Sequence, residues 1–138
     1  MRILVATDGS RGGCAAVKFA GRLASRDPGT ELVILTVGLP PFARGKAPAP
    51  NPGSAKMKIG GVEPTYRFVP ARSGDSIPET ISREAERLKA DLVVIGSEGR
   101  DTLSEWVVGG VALRLIYVAR RPVTVVRPPR RRKVAVAS

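Results

Sequence analysis

Five short aliphatic segments recur along this chain of 138 residues, and they constrain the fold more than any other feature. They are rich in Val, Ile and Leu, and turn residues such as Gly, Pro or Asp follow most of them, as is typical of strands buried on both faces. Aromatic residues make up only 4% of the chain, so the core must consist of aliphatic side chains. We predict strands at Ile3–Thr7, Glu31–Val37, Thr65–Val69, Asp91–Ile95 and Pro122–Val126.

Three segments between these strands have the spacing of amphipathic helices. The first is predicted to begin at a cap on Ser10 and to end near Ser25. The second follows a cap at Asp75 or Ser76 and has Pro78 in its first turn, where proline is favoured. The third spans Gly109–Ala119. The predicted inward residues are Ala15 or Ala16, Phe19, Ala20 and Leu23 in the first helix, and Val111, Leu115 and Val118 in the third.

The alternation of strands and helices determines the predicted fold class. Parallel strands joined by helical crossovers form a sheet that helices cover on both faces. We therefore predict a single α/β domain with a five-stranded parallel sheet, of the Rossmann-like kind. Ligands of such sheets bind beyond the carboxyl ends of the strands. Asp8 follows the first strand and Gly96 the fourth, so both are expected at that edge.

Two segments depart from this pattern. Residues 38–64 contain six of the twelve prolines and five glycines, which discourage a helix or a central strand, so we predict a long loop there. Residues 128–138 are rich in arginine and are expected to be disordered. The predicted domain is therefore 1–127, followed by a basic tail at 128–138.

Charge and residue types narrow the range of functions. The net charge of +11 attracts polyanions such as nucleic acid or free nucleotide. The chain has no histidine, which excludes Ser-His-Asp and Cys-His catalysis. Its single cysteine, Cys14, forms no intramolecular disulfide.

No apolar run in the sequence approaches the ~20 residues needed to span a bilayer. We expect a cytoplasmic protein without a membrane-bound form, and we predict no catalytic residues and no metal ligands.

Glycines mark the segment that leads into the third helix. Gly96 and Gly99 are three residues apart, and Gly109 and Gly110 follow after nine further residues. Glycine lets the backbone approach a bound group closely, and the amides at a helix N-terminus favour anions. The pattern indicates a phosphate cradle, although two glycine-rich turns without a ligand would give the same sequence.

Several motifs, in this order, resemble the universal stress protein family. They are Val5-Ala6-Thr7-Asp8-Gly9-Ser10, Gly74-Asp75 with Ile77-Pro78, Asp91–Gly96 with the Gly-x2-Gly-x9-Gly spacing, and Arg121–Val126. The resemblance covers nearly the whole chain except residues 38–64 and the tail. It implies a five-stranded parallel sheet, frequent dimers and, in one branch of the family, bound ATP.

The resemblance assigns the base of the nucleotide to the ends of the first two strands. It implies that Ala6, Thr7 and Asp8 meet the base, with Asp8 accepting a hydrogen bond from the adenine amino group. It also implies that Val37 lines the base pocket. Asp8-Gly9-Ser10 is equally good turn and capping chemistry, so a purely structural role for Asp8 stays open.

The resemblance assigns the ribose and the phosphates to the glycines. Gly96 and Gly99 would flank them, and the amides of Gly109, Gly110 and Val111 would bind the phosphates. ATP, ADP and AMP stay open as the ligand, with Mg as an accompanying cation.

Two residues depart from the ATP-binding branch of the family. That branch usually has Ser or Thr where this chain has Gly110, and a basic residue is common at the position of Glu98. A lost hydroxyl contact to a phosphate costs about 1–3 kcal/mol, and a carboxylate near a phosphate is repulsive. There is also no Walker-type loop, so hydrolysis is expected to be slow or absent.

These observations lead to a predicted function and two alternatives. The chain is predicted to be a stress-response protein that binds an adenine nucleotide and acts through a change of shape or of partner. A non-binding module that forms a homodimer through the Pro122–Val126 edge strand is the first alternative. Polyanion binding through Arg127–Lys133 is the second, and nucleic acid is the less favoured partner because no aromatic residues are interleaved there.

Overall fold

The computed structural model describes residues 1–8, 11–38, 58–70, 76–97 and 109–128. Its strands and helices coincide with the predicted ones to within one residue at the predicted bounds, because local hydrophobic patterns and turn residues define each of them. The strands are β1 (Arg2–Ala6), β2 (Glu31–Gly38), β3 (Thr65–Pro70), β4 (Leu92–Gly96) and β5 (Val123–Val126), and the helices are α1 (Arg11–Ser25), α2 (Ile77–Arg87) and α3 (Gly110–Val118).

The strands form one parallel sheet in the order β3-β2-β1-β4-β5. The predicted single-domain α/β fold is therefore confirmed. The chain first adds β2 and β3 on one side of β1 and then crosses to add β4 and β5 on the other. The order of the strands thus reverses between β1 and β4, and ligands of open α/β sheets bind beyond the carboxyl ends at such a point. We call the end of the sheet where the strands finish the carboxyl edge, and the opposite end the amino edge.

Two apolar layers cover the sheet. On one face, alternate residues of the central strands, such as Ile3 and Val5, pack against α1. On the other face, Leu4 and Leu35 pack against α2 and α3. The α1 layer uses small residues, since the helix buries Ala16, Ala20 and Ala24. The predicted stripe is correct at Ala16 and Ala20, whereas Phe19 and Leu23 are half-buried at its margins.

Helix α2 is capped and oriented by polar contacts. The side chain of Ser76 accepts a hydrogen bond from the amide of Glu79, and Pro78 lies in the first turn, as predicted. Glu84 is 6% exposed and pairs with Arg67 on β3 at 2.9 Å and with Arg87 at 3.1 Å. Two guanidinium groups therefore compensate this buried carboxylate and connect α2 to the edge strand.

The side of helix α3 that packs on the core differs from the predicted one. Ala112 and Leu115 are its buried residues, and Val118 is half-buried, but Val111 is 37% exposed, so the prediction that Val111 points inward is wrong. Residues 111 and 112 project about 100° apart on a helix, and the inward stripe runs through residue 112. The helix is apolar on nearly all sides, so its sequence does not indicate which side is buried.

The predicted loop at 38–64 is partly ordered. Gly38 belongs to β2, and Ile59 and Val62 form a short antiparallel bridge with Gly60 and Gly61 at its turn. This turn lies directly on α1, because a Cβ on Gly21 would be 2.5 Å from Ile59 Cγ2. Residues 39–57 and the tail from 129 onward lie outside the described residues.

Charged side chains hold the amino edge together. Arg2 pairs with Glu31 at 2.8 Å, its backbone amide donates to Asp91, and its guanidinium also donates to the carbonyl of Leu88. Hydrogen bonding and the charge of Arg2 hold the pKa of Glu31 below its usual value. These contacts join β1, β2 and the turn before β4.

Candidate functional site

The ends of β1 and β2 bring the predicted base-binding residues together. The amide of Thr7 donates to the carbonyl of Leu35 at 2.9 Å, so the pairing of these strands continues one residue beyond β1. Ala6 is buried in the layer beneath α2 and α3, and Val37 is half-buried against the same layer. Asp8 follows and is exposed. The chain thus presents a carboxylate at the switch point of the sheet.

Asp8 also lies close to the first turn of α1. A Cβ on Gly13 would be 3.1 Å from Asp8 Oδ1 and in still closer contact with Thr7 Oγ1. A carboxylate beside the N-terminal turn of a helix is stabilised by the amides there. The sequence left two roles open for Asp8, a contact with a ligand and support of the helix N-terminus. Its position in the structure is compatible with both.

Gly96 is buried under α1. A Cβ on Gly96 would be 2.5 Å from both the carbonyl carbon and the oxygen of Gly12. Backbone atoms cannot move aside as a flexible side chain can, so this position requires glycine for helix packing. The close approach of α1 to β4 accounts for Gly96 whether or not a ligand is bound.

A backbone hydrogen bond brings α3 to the end of β4. The amide of Gly109 donates to the carbonyl of Ser97 at 2.5 Å, and the amide of Ser97 donates to Val126 at 2.8 Å. The start of α3 therefore lies beside β4 and β5 at the carboxyl edge. Because the Gly109 amide is used in this contact, the amides left for a phosphate belong to Gly110 and the residues after it.

The first turn of α3 is open. Its N-cap, Gly109, makes no side-chain capping bond, and the turn contains no acidic residue. A Cβ on Gly110 would meet no atom within 4 Å, and Val111 beside it is exposed. The helix dipole favours an anion in front of this turn. The geometry therefore suits a phosphate or another small anion.

Other sequence predictions cannot be placed. Gly99 and Glu98 lie outside the described residues. Within the described ranges, no group of three or more Asp, Glu, Cys or His residues could hold a metal ion. Those ranges also contain no helix that is long and apolar enough to span a bilayer.

The described residues also line a cavity of about 400 Å³ at the amino edge, between the C-terminal turn of α1 and Gly60–Gly61. Thr30 contributes a hydroxyl without a partner, but this oxygen is buried away from solvent. A molecule in the cavity could not reach it without a shift of the chain. We therefore place the candidate site at the carboxyl edge.

Solved structures share this architecture over almost the whole chain. The protein UspA from Lactobacillus plantarum is 20% identical, with a TM-score of 0.70, and the match covers 92% of this chain and 97% of that one. The chain therefore has the universal stress protein fold. In addition, residues 68–127 match the universal stress protein family by sequence, which confirms the predicted resemblance. No curated protein sequence matches the chain.

Two other universal stress protein structures contain nucleotides. One, in complex with cAMP, is 23% identical, with a TM-score of 0.67 and coverage of 94% of this chain and 98% of that one. The other, from Archaeoglobus fulgidus, is in complex with dAMP and is 22% identical, with a TM-score of 0.59 and coverage of 91% and 96%. At these identities the likeness establishes the fold.

Two residues at this edge were missed by the sequence interpretation. Ser97 stands between Gly96 and the predicted phosphate loop, and it is 4% exposed. Arg127, predicted as the last residue of the domain and the first of the basic run Arg127–Lys133, directly follows β5. Only the order of the strands brings them together, because they are thirty positions apart in the sequence.

Proposed function

We propose that this universal stress protein domain binds an adenine nucleotide at the carboxyl edge of its sheet. The observation that carries the proposal is the placement of an exposed carboxylate, Asp8, and of the uncapped N-terminal turn of α3 at the same carboxyl edge of the sheet. Asp8 would accept from the adenine amino group, and the amides at Gly110 and Val111 would bind the phosphates. The cAMP and dAMP complexes of the two similar proteins support this class of ligand.

The domain would act by binding and not by catalysis. Neither a histidine nor a Walker-type lysine loop is present in the sequence to activate a nucleophile, so hydrolysis would be slow or absent. Ligand binding would instead change the conformation of the carboxyl edge or the choice of partner during a stress response. ATP, ADP and AMP are candidates, with Mg accompanying a polyphosphate, and the proposed location is the cytoplasm.

The direct test is to look for the nucleotide. Mass spectrometry of the supernatant from heat-denatured purified protein should detect an adenine nucleotide, and titration calorimetry with ATP, ADP and AMP should give micromolar binding of at least one. A protein that is purified empty and gives no heat with any of the three would refute the proposal.

The D8A variant tests the assignment of the base. Its affinity for the nucleotide should fall by about tenfold or more, because a hydrogen bond to a charged acceptor contributes about 1.5–3 kcal/mol. Because Asp8 also lies beside α1, thermal unfolding of D8A must be measured in parallel. D8N is the matched control, since asparagine also stabilises a helix start. Unchanged affinity in a folded D8A protein would remove Asp8 from the site.

A second candidate function is that of an interaction module that dimerises and binds no nucleotide. The exposed apolar residues of α3 favour it. Leu113, Ile116 and Tyr117 are 48%, 49% and 76% exposed. The contacts of α3 with α2, through Arg114 and the carbonyl of Val118, lie on another side of the helix. In addition, β5 is the last strand on its side of the sheet, so its outer edge is unpaired within the described residues. A second copy related by a twofold axis would match both features, because its own β5 and α3 present the same surface.

Light scattering of an I116K/Y117K variant tests this interface. The wild-type chain should form a homodimer, and the variant a monomer with an unchanged unfolding midpoint, since both side chains are exposed. A wild-type monomer, or a variant that still dimerises, would exclude this surface as the dimer interface.

Removal of residues 129–138 tests the basic tail separately. Polyanion binding through the tail predicts that the shortened chain is no longer retained on DNA at low salt.

A further inference from the structure

The outward side of α1 carries positive charge and no acidic side chain. The helix spans Arg11–Ser25 and contains neither aspartate nor glutamate. Lys18 and Arg22 are exposed and lie one helical turn apart on the same side. Arg26, also exposed, follows in the turn that ends the helix. We call Lys18, Arg22 and Arg26 the basic face of α1.

The three cations of the basic face form no ion pair with any described residue. Helix α2, on the opposite face of the sheet, differs, because its sequence holds three glutamates beside two arginines, and Glu84 and Glu86 form ion pairs. Like charges one turn apart on a helix repel each other. The arrangement of Lys18 and Arg22 therefore does not serve the stability of α1, and a bound polyanion would remove the repulsion.

The guanidinium of Arg22 is positioned by an aromatic ring. Its central carbon lies 5.9 Å from the centroid of the Phe19 ring, which is a cation–π contact. Phe19 is itself half-buried against the apolar layer beneath α1. Contact with a packed ring restricts the arginine side chain, so less conformational entropy is lost when the guanidinium contacts a phosphate.

The turn at Ile59–Val62 brings a fourth cation to α1. This turn packs directly on the helix, because a Cβ on Gly21 would be 2.5 Å from Ile59 Cγ2. Lys58 precedes Ile59 and is exposed. Since Gly21 lies between Lys18 and Arg22 in the helix, Lys58 extends the positive surface to one side of the basic face.

The composition of this surface favours nucleic acid as its partner. The large apolar side chains that are exposed in the described part of the chain are Met1 and four residues of α3, and none lies on α1. Membrane surfaces and protein partners gain affinity from apolar or aromatic anchors, which the basic face lacks. Single strands gain it from stacking on exposed aromatic rings. The backbone of a duplex instead binds through charge.

The dimensions of the basic face also suit a duplex. Its cations span eight residues, which is about 12 Å along the axis of α1. About 12 Å of a DNA duplex carries roughly seven phosphate charges. Each cation can therefore contact a phosphate of its own.

We propose that the basic face of α1, together with Lys58, binds the sugar–phosphate backbone of a double-stranded nucleic acid without reading its sequence. The surface lies on the outer side of α1 and is separate from the carboxyl edge and from the basic tail. The inference therefore goes beyond the proposed nucleotide function and does not depend on it.

The experiment measures the fluorescence anisotropy of a labelled DNA duplex of about 20 base pairs, titrated with the full chain between 50 and 200 mM salt. Wild-type affinity should fall steeply as salt rises, because bound counterions are released. K18Q/R22Q should bind about tenfold more weakly at the lowest salt, and its slope of log affinity against log salt should be shallower by about two. K18R/R22K keeps both charges and should retain most of the affinity.

K89Q/R120Q is the matched control. Lys89 and Arg120 are exposed cations that follow α2 and α3, on the opposite face of the sheet, so their removal lowers the net charge equally without touching the basic face. Its affinity should stay within about twofold of wild type. Thermal unfolding of each variant excludes loss of fold as the cause.

The single cysteine of the chain provides a second readout. Cys14 is exposed and lies one turn before Lys18 on the same side of α1. A saturating duplex should slow the alkylation of Cys14 by iodoacetamide about threefold or more in wild type and in K89Q/R120Q. An unchanged alkylation rate would place the duplex elsewhere and refute the proposal.

Three results of the binding experiment would also overturn it. Wild-type protein that does not bind the duplex at 50 mM salt has no such surface. Equal affinity of K18Q/R22Q and wild type would assign the binding to the tail or to another surface, and equal losses in K18Q/R22Q and K89Q/R120Q would mean that only net charge matters. Binding to phosphatidylserine vesicles that depends on Lys18 and Arg22, without such dependence for the duplex, would make the partner a membrane surface.

Discussion

The two edges of the sheet use charged and polar groups in opposite ways. At the amino edge, Arg2 contacts Glu31, Asp91 and the carbonyl of Leu88, and Arg121 pairs with Glu86 at 3.1 Å. At the carboxyl edge, Arg127 has no ion-pair partner among the described residues, and no side chain caps the first turn of α3. Groups that satisfy one another stabilise the fold, whereas groups left unsatisfied are available to a ligand.

The glycines follow the same division. Gly96 and Gly12 are in contact, so glycine at position 96 is a requirement of packing. Gly110 has open space in front of it, so glycine there is not required by any contact within the described structure. The two positions of the motif therefore differ in whether packing requires glycine. Substitutions at each position can test this difference.

The largest expected effect is on the stability of G96A. A new Cβ would lie 2.5 Å from backbone atoms of Gly12, which would force α1 away from β4 and cost about 3 kcal/mol. Denaturant unfolding measures this cost. G110A is the matched control and should stay within about 0.5 kcal/mol of wild type. An equal loss of unfolding free energy in G96A and G110A would contradict the claim that packing requires glycine at position 96 but not at position 110.

A gain of affinity is expected for G110S. The added hydroxyl fits without a clash and can donate to a phosphate, so affinity for ADP should rise by about tenfold. Calorimetry measures this gain, and G110A, which lacks the hydroxyl, should show none. A decrease in the affinity of G110S would mean that the phosphates do not lie in front of α3.

The smallest expected effect concerns acid at the amino edge. The pKa of Glu31 is lowered in the folded protein by its hydrogen bond to Arg2, so the carboxylate stabilises the fold at pH values above its ordinary pKa of 4.5. This contribution is lost as the pH falls from there through the lowered folded pKa. Thermal unfolding between pH 6 and pH 3 should therefore show a shallower decline for E31Q than for wild type. Parallel declines would mean that the pair does not contribute.

Much of the fold could be predicted because it is encoded locally. Each strand is an aliphatic run that ends at a turn residue, and Ser76 with Pro78 marks the start of α2. The facing of α3 could not be predicted, since a helix that is apolar on nearly all sides gives no periodic signal, and Val111 was misplaced for that reason. The turn at Ile59–Val62 was also missed: Gly60-Gly61 is typical of a two-residue turn, but the contact with Gly21 that holds it against α1 has no local sequence signal.

From the sequence, the candidate site could be assigned to the carboxyl edge of the sheet, but its detailed contacts could not be predicted. The topology rule places Asp8 and Gly96 at the carboxyl ends of adjacent strands, and β1 and β4 are indeed neighbours. The packing role of Gly96 and the adjacency of Ser97 to Arg127 depend on contacts between distant segments. Such contacts leave no pattern in a single sequence, so only the structure could reveal them.

The most direct test of the account is the location of nucleotide binding. Amide chemical shifts recorded during a titration with AMP should change at the carboxyl edge, at Thr7, Asp8, Ser97 and Gly110, and should stay constant around Arg2, Glu31 and Arg121. This result would establish that the carboxyl edge is the binding edge. Shifts confined to the amino edge, or no shifts at saturating AMP, ADP or ATP, would contradict the account.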